Sequence, residues 1–306
     1  MHTKTSQSDP LLNLDSIADD PSDINSGPPV SVIIPCFNHG QYLLDAIASV
    51  ERCDPNLYEI IVVNDGSNDL LTLEVIGRLE RDGYHVINQE NQGLAASRNN
   101  GIQASRGRYI LPLDADNRIY PEYITVGIKV LNEKPEVGVV YGRPELYGEI
   151  SARNYPELES FNLPRLVIEN YIDACALIRK SAIVQCGFYD AGFPFPGLED
   201  WDLWLTMVQA GWQFHFEDAL LFQYQVLANS MIAAARQADK ITRNYQYLYG
   251  KHAMLIKRVM FEQLHEKTHQ PRSIQVAQLW HKEGMNAVVQ KALSKVKRKL
   301  TAKSSS

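Results

Sequence analysis

The chain has 306 residues, of which 45% are apolar and 22% are charged. This length and composition are typical of one large globular domain with appendages. No apolar run approaches the roughly 18 residues that a membrane-spanning helix needs. The first 23 residues also lack the apolar core of a signal peptide, so none is predicted.

The four cysteines show no pattern of a metal or redox site. They are Cys36, Cys53, Cys175 and Cys186, and no two of them form a CxxC pair. A chain of this length does not need disulfides to fold. We therefore expect four reduced thiols in a cytoplasmic protein and no structural zinc.

The net charge of −6 is unevenly distributed. Residues 251–306 carry 12 Lys and Arg against three acidic residues, which leaves the rest strongly acidic. In this segment Leu293, Val296 and Leu300 fall on one face of a basic helix, Lys291–Lys303. Such a tail either lies on an anionic membrane surface or is a solvated, frayed terminus. The acidic body would repel nucleic acid, so no nucleic-acid partner is expected.

Residues 1–28 are rich in Ser, Asp, Asn and Pro without a period, which is typical of a disordered arm. The following segments alternate between short β-branched runs and helical periodicity. The predicted strands are Val30–Ile34, Glu59–Val63, Tyr84–Ile87, Arg108–Leu113 and Val137–Tyr141. The predicted helices are one that begins at Gln41, then Leu70–Leu79, Gly93–Ala104 and Glu122–Leu131. This alternation indicates an α/β fold with a parallel sheet.

The second half is less regular. It contains a predicted strand at Ala174–Ile178, a helix at Glu199–Ala210 and a strand at Leu220–Val226. Beyond Ile232 the pattern is helical to Lys299, with a break near His269–Pro271. We therefore divide the chain into an arm (1–28), an α/β domain (29–231) and a helical, basic C-terminal extension (232–306).

Three polar clusters follow predicted strands, at Pro35–Asn38, Asp65–Ser67 and Asp114–Asn117. Ligands of open α/β sheets bind at the carboxyl ends of the strands. In the last cluster, Asp114 and Asp116 are spaced i and i+2, which points both carboxylates to one side of an extended segment. They could share Mg²⁺ or Mn²⁺ with diphosphate oxygens, or they could form a solvated turn.

Three further features each have a structural and a functional interpretation. Asp65 either caps the next helix or accepts a hydrogen bond from the imide N–H of a uracil or thymine base. The acids of Glu199–Asp202 either stabilise a helix start or supply a general base for a hydroxyl. Arg98 either lies on a helix surface or near a donor nucleotide or diphosphate.

Taken together, five stretches resemble family 2 glycosyltransferases, which are inverting enzymes of the GT-A fold. The stretches are Val32–Asn38, Val62–Ser67, Asn91–Asn99, Leu113–Asp116 and Gly197–Trp204. They occur in the family's order and spacing, and the resemblance runs from about Val30 to Ser230. It implies a GT-A-type, Rossmann-like mixed sheet flanked by helices.

The resemblance also implies roles for individual residues. Donor or nucleotide binding would fall to residues at the strand ends and on one helix: Pro35, Asn38, Asp65, Arg98, Asp114 and Ala115. Asp116, with Asp114, would bind a divalent metal, Mn²⁺ or Mg²⁺. Asp200 would be the catalytic base, with Glu199 and Trp201 supporting it or contacting the acceptor. Asn229–Ser230 resembles a segment that closes over the diphosphate.

The implied reaction moves a sugar from a nucleotide diphosphate donor, a UDP-sugar, to a hydroxyl of a carbohydrate or lipid-linked acceptor. If the basic tail binds lipid, the protein would be peripheral to a membrane. Two alternatives stay open. A nucleotidyltransferase would need a Gly-rich loop after the first strand, where this chain has only Gly40. A non-catalytic binding protein on the same fold would not release nucleotide diphosphate.

Overall fold

The computed structural model describes residues 27–149, 158, 160–227 and 238–266. The first half alternates strands and helices as predicted. Its elements are β1 (Val30–Cys36), α1 (Gly40–Glu51), β2 (Tyr58–Asp65), α2 (Leu70–Arg81), β3 (His85–Gln89), α3 (Leu94–Ala104) and β4 (Tyr109–Pro112). These four strands pair in parallel in the order β3-β2-β1-β4. The predicted parallel half of the sheet is therefore confirmed.

The second half extends the same sheet with both strand directions. Its elements are β5 (Arg118–Ile119), α4 (Glu122–Glu133), β6 (Val137–Gly148), α5 (Leu163–Leu166), β7 (Leu177–Arg179), α6 (Lys180–Gln185), α7 (Glu199–Gln209), β8 (Gln213–Val226), α8 (Ala238–Lys251) and α9 (Ala253–Glu266). The full order is β3-β2-β1-β4-β7-β6-β8-β5. Since β7 runs antiparallel to both β4 and β6, the sheet is mixed, as expected.

Several elements differ from the prediction. β6 continues past Tyr141 to Gly148, β8 begins at Gln213 rather than Leu220, and β5 and α5 were not predicted. The strand expected at Ala174–Ile178 begins at Leu177, and a short helix that was not predicted, α6, follows it directly. The apolar run extends further upstream because Ala174–Ala176 is buried in the core outside any strand. Pro35 was expected in the loop after β1, but it lies within β1 opposite Val63.

The sheet has a hydrophobic core on each face. In β1, Val32 and Ile34 pack on the side of α1, whereas Ile33 belongs to the opposite core, as the two-residue period of a strand requires. The second core also contains Leu248 of α8 and Ile256 of α9. The two helices of the extension therefore share a core with the α/β domain.

None of the helices in the described part of the chain is long and apolar enough to cross a membrane. Several sequence predictions concern other parts. The arm up to residue 26, Asn229–Ser230, the helical break near 269–271 and the basic helix Lys291–Lys303 all lie outside the described residues.

Candidate functional site

The site is assembled at the carboxyl ends of the parallel strands. Asp65 is the last residue of β2 and only 4% exposed. Its Oδ1 accepts hydrogen bonds from Gln89 Nε2 and Gln92 N, both at 2.8 Å, and its Oδ2 accepts one from Gly93 N at 2.9 Å. Asp65 does not cap α2, since Asp69 performs that role. It fastens the start of α3 to the end of β2.

Gly66 makes this attachment possible. Its φ is 71°, and a Cβ at this position would lie 2.6 Å from the backbone nitrogen of Asn91. A side chain would push the 91–93 loop away from Asp65, so the Asp-Gly sequence is required by the close approach of the two loops.

Asn38 connects the loops after β1 and β2. Its φ of 55° is left-handed, a conformation that Asn tolerates better than most residues. Its Oδ1 accepts from the backbone nitrogens of Asn68 and Asp69, and its Nδ2 donates to Asn68 Oδ1. Because its side chain is occupied in this way, Asn38 shapes the rim of the site through the two loops.

Arg98 of α3 is the central cation of the site and is 2% exposed. Its Nη2 donates to Asp114 at 2.8 Å and its Nη1 to Glu199 at 3.0 Å. Its guanidinium also lies 5.4 Å from the ring centre of Tyr189. Burial alone would lower the pKa of Arg98, but the two carboxylates outweigh it and hold the guanidinium charged.

The turn after β4 carries the second acidic residue of the Asp-Ala-Asp sequence. The Tyr147 hydroxyl donates to the backbone oxygen of Asp116 at 2.6 Å, and the side chain of Ala115 is buried in the core. Burial, together with the charge of Asp114, raises the pKa of Asp116 to about 7. The two carboxylates therefore lie close enough to repel each other.

At the start of α7, the acidic residues of the Glu-Asp-Trp-Asp sequence have different hydrogen-bond partners. Glu199 is 4% exposed and accepts from Gly197 N as well as from Arg98. Asp200 accepts from Asn170 Nδ2 at 2.9 Å and from Trp201 N at 2.8 Å. Burial, followed by the charge of Glu199, raises the pKa of Asp200 to about 7, against the opposing effects of Arg98 and Asn170.

The other two residues of this sequence are structural. Trp201 was predicted to support the base or contact the acceptor, but its side chain is 1% exposed and its indole donates to Leu166 O. It therefore cannot reach an acceptor, although its backbone N–H does support Asp200. Asp202 turns away from the site and accepts from Lys251 and His252, which joins α7 to the α8–α9 corner.

Two functional candidates had no sequence signal, Asn170 and Asp173. Both lie between α5 and β7, in a stretch without helix, strand or period. Burial raises the pKa of Asp173 to about 6, and Asp114 adds to this increase. Asp173 in turn raises the pKa of both Asp116 and Asp200. The Asp-Ala-Asp turn and the start of α7 therefore belong to one cluster around Asp173 and Arg98.

Asp65 adjoins the same cluster through α3, because Gly93 is the N-cap of the helix that carries Arg98 one turn later.

The described residues contain no group of three His, Cys, Asp or Glu side chains able to hold a metal ion alone. All four cysteines are free thiols, as expected.

A glycosyl transferase family 2 model matches residues 31–187, just over half of the chain. An uncharacterized glycosyltransferase of Rickettsia prowazekii is 30% identical over 223 residues, which cover 69% of this chain and 66% of that relative. Three other Rickettsia glycosyltransferases are longer, and the chain spans only 34%, 33% and 29% of their length.

Solved structures share the fold. Staphylococcus aureus TarS residues 1–349, in complex with UDP-GlcNAc, is 17% identical with a TM-score of 0.59 and covers 70% of this chain and 64% of its own. Mannosyltransferase PcManGT from Pyrobaculum calidifontis, in complex with GDP-Man and Mn²⁺, is 14% identical with a TM-score of 0.55, over 88% and 85% of the two chains. The mixed sheet flanked by helices is therefore of the GT-A type, as the sequence predicted.

Proposed function

Since the chain belongs to glycosyl transferase family 2, we propose that it moves a sugar from a UDP-sugar donor to a hydroxyl acceptor with inversion at the anomeric carbon. The observation that carries this proposal is the environment of Asp200. Its carboxyl is held by two hydrogen bonds at the start of α7, and its pKa of about 7 suits a general base at neutral pH.

In this proposal Asp200 takes the proton of the acceptor hydroxyl as the oxygen attacks the anomeric carbon. The bond to the diphosphate breaks on the opposite face, and the nucleotide diphosphate leaves with the bonding electrons. One displacement from one face inverts the configuration. Arg98 favours the ionised form of Asp200 by its positive charge, and it also forms a hydrogen-bonded ion pair with Glu199.

The proposed donor subsite lies between Asp65 and the Asp-Ala-Asp turn, bordered by Pro35 and Asn38. Both Asp65 oxygens already accept backbone or amide N–H groups, but each carboxylate oxygen has a second lone pair. The imide N–H of a uracil base would donate to one of these remaining lone pairs. The two GT-A structures described above carry UDP-GlcNAc and GDP-Man, so the fold accommodates either base and the assignment to UDP is the point to test.

Asp114 and Asp116 fit a divalent cation that is completed by phosphate oxygens. Mg²⁺ and Mn²⁺ are commonly bound by one or two carboxylates plus substrate phosphates, which agrees with the lack of a protein-only cage among the described residues. Burial and then the charge of Asp114 raise the pKa of Asp116, so a cation at this position would favour its ionised form. When bound, the ion would neutralise charge on the leaving diphosphate.

The test is release of nucleotide diphosphate from a panel of UDP-, GDP- and dTDP-sugars in Mn²⁺, with and without EDTA. We expect release from a UDP-sugar that depends on metal. Asp200→Asn should reduce it about 10²–10⁴-fold, because general-base catalysis contributes that much, while donor affinity stays within a factor of a few. Donor binding without turnover by the wild type would instead support a non-catalytic binding protein.

A further inference from the structure

We propose that Asn170 is the positioning residue of the Asp200 carboxylate, held against it by the two tryptophans of α7. This inference rests on the proposed function, in which Asp200 is the base. Asn170 Nδ2 lies 2.9 Å from Asp200 Oδ2, and Trp201 N lies 2.8 Å from Oδ1. An ionised carboxylate only accepts hydrogen bonds, so the Asn170 amide must present its NH₂ group. Together the two donors fix the plane of the carboxyl group.

The segment that carries Asn170 has no helix or strand to hold it, and α7 replaces that support. The indole of Trp201 donates to Leu166 O at 2.6 Å, and the indole of Trp204 donates to Ile172 O at 3.2 Å. Both tryptophans are at most 1% exposed. Their partners lie four residues before Asn170 and two residues after it. The helix that bears the base therefore also anchors both sides of the residue that orients the base.

Stability alone does not account for Asn170. Its Oδ1 is buried and has no hydrogen-bond partner in the described part of the chain. A purely structural asparagine would satisfy both ends of its amide, because an unpaired buried acceptor is unfavourable. Within the described part of the chain, the hydrogen bond of its side chain goes to Asp200, which is the interaction that the proposed role requires.

Because several charges surround Asp200, loss of the Asn170 hydrogen bond should shift the pKa of Asp200 measurably. Glu199 on the same helix and Asp173 before β7 favour the protonated form, whereas Arg98 from α3 favours the ionised form. Buried Tyr189 also adjoins the group. Loss of a hydrogen bond to a charged group corresponds to about one pKa unit or more. The ionised fraction at pH 7 would then fall from about one half to about one tenth, a roughly fivefold loss of activity.

The kinetic test compares Asn170→Ala with the wild type from pH 5.5 to 9. Asn132→Ala is the matched control, because Asn132 lies in α4, which packs on the opposite face of the sheet from α7. We expect the acidic limb of kcat/KM to move up by about one unit, a roughly fivefold loss at pH 7 and an unchanged donor KM. If the acidic limb of kcat/KM does not move in Asn170→Ala, the inference is overturned. It is also overturned if only the donor KM changes. If Asn170→Ala does not fold, Asn170→Ser serves in its place, since its shorter side chain also cannot reach Asp200.

A second readout needs no turnover. Raising the folded-state pKa of Asp200 extends the pH range over which the folded protein holds an extra proton. The melting temperature of Asn170→Ala relative to wild type should therefore fall further between about pH 7 and 8, in addition to any pH-independent loss from the truncation. In an Asp200→Asn background this pH dependence should vanish, and its persistence would overturn the inference. A wild type that binds donor without turnover would contradict the proposed function, while the melting data still decide whether Asn170 acts on Asp200.

Discussion

The buried ion pair between Arg98 and Glu199 joins two sequence motifs that lie 101 positions apart. The two side chains are 2% and 5% exposed, so each depends on the other for compensation of its charge. Asp114, the second partner of Arg98, is 32% exposed and can be solvated by water. The stability of the site therefore depends mainly on the pair with Glu199.

Replacing Arg98 by Met should destabilise the protein by about 3–5 kcal/mol, because it leaves Glu199 as an uncompensated buried charge. Arg98→Lys should recover only part of this loss, since a single ammonium cannot bridge two carboxylates as the guanidinium does. Urea unfolding measures both. Adding Glu199→Gln to Arg98→Met should restore much of the stability, and a double variant no more stable than the single one would contradict this account.

The catalytic pH profile should have an acidic limb near pH 7. Burial and Glu199 raise the pKa of Asp200 to about 7, and a base acts only when deprotonated. Activity should therefore rise with pH up to about 7 and level off above it. The measurement is kcat/KM for donor turnover from pH 5.5 to 9 at saturating Mn²⁺. A flat profile between pH 5.5 and 7 would contradict a base with this pKa.

Asp202 should be needed to hold α8 and α9 against α7. Its Oδ1 accepts from His252 Nε2 and its Oδ2 from Lys251 Nζ, both at 2.8 Å, while Gln209 adjoins the other ring nitrogen of His252. Asp202 and His252 are each at most 2% exposed. Asp202→Ala should cost about 3 kcal/mol, as for a broken buried pair. Hydrogen exchange should show lost protection in residues 238–266.

Asp218→Ala is the matched control for that prediction. Asp218 pairs with Arg143, but the two side chains are 72% and 40% exposed, and exposed pairs contribute little. This variant should leave both the unfolding midpoint and the exchange of residues 238–266 unchanged. Equal effects of the two substitutions would show that the Asp202 contacts do not hold the helices.

The parallel half of the fold was predictable because its strands show their burial in the residue pattern of each segment. Val30–Ile34 and Ile61–Val63 are buried on both faces, and such strands read as β-branched runs. Asp65, Asp114 and Asp116 were candidates because they lie at the ends of predicted strands, whereas the role of Asp200 came from the family resemblance. Asp65 still had two interpretations, and the contacts show a third role as the anchor of the loop before α3.

Asn170 and Asp173 could not be predicted from the sequence. Their segment has neither period nor motif, and it is positioned by indole contacts from a helix about 30 residues later. For β7 the sequence predicted a strand, but not its short length or its antiparallel direction, which are set by pairing with β4 and β6. Features that depend on tertiary contacts alone leave no pattern along the chain.

Close packing of α3 on the sheet at Gly101 should position Arg98. Gly101 lies one turn after it in α3, and a Cβ there would lie 2.4 Å from Ile33 Cγ2 and 3.2 Å from Val63 Cγ2. Gly101→Ala must therefore push α3 away from the sheet, which should cost about 1–3 kcal/mol by overpacking and lower activity by displacing Arg98.

Gly77→Ala in α2 is the control, because its added Cβ meets only the flexible end of Arg81 at 3.4 Å. That substitution should stabilise the protein by about 0.5–1 kcal/mol through helix propensity, with activity unchanged. Urea unfolding and donor turnover decide between them, and an active, stable Gly101→Ala would show that α3 has room to shift without moving the site.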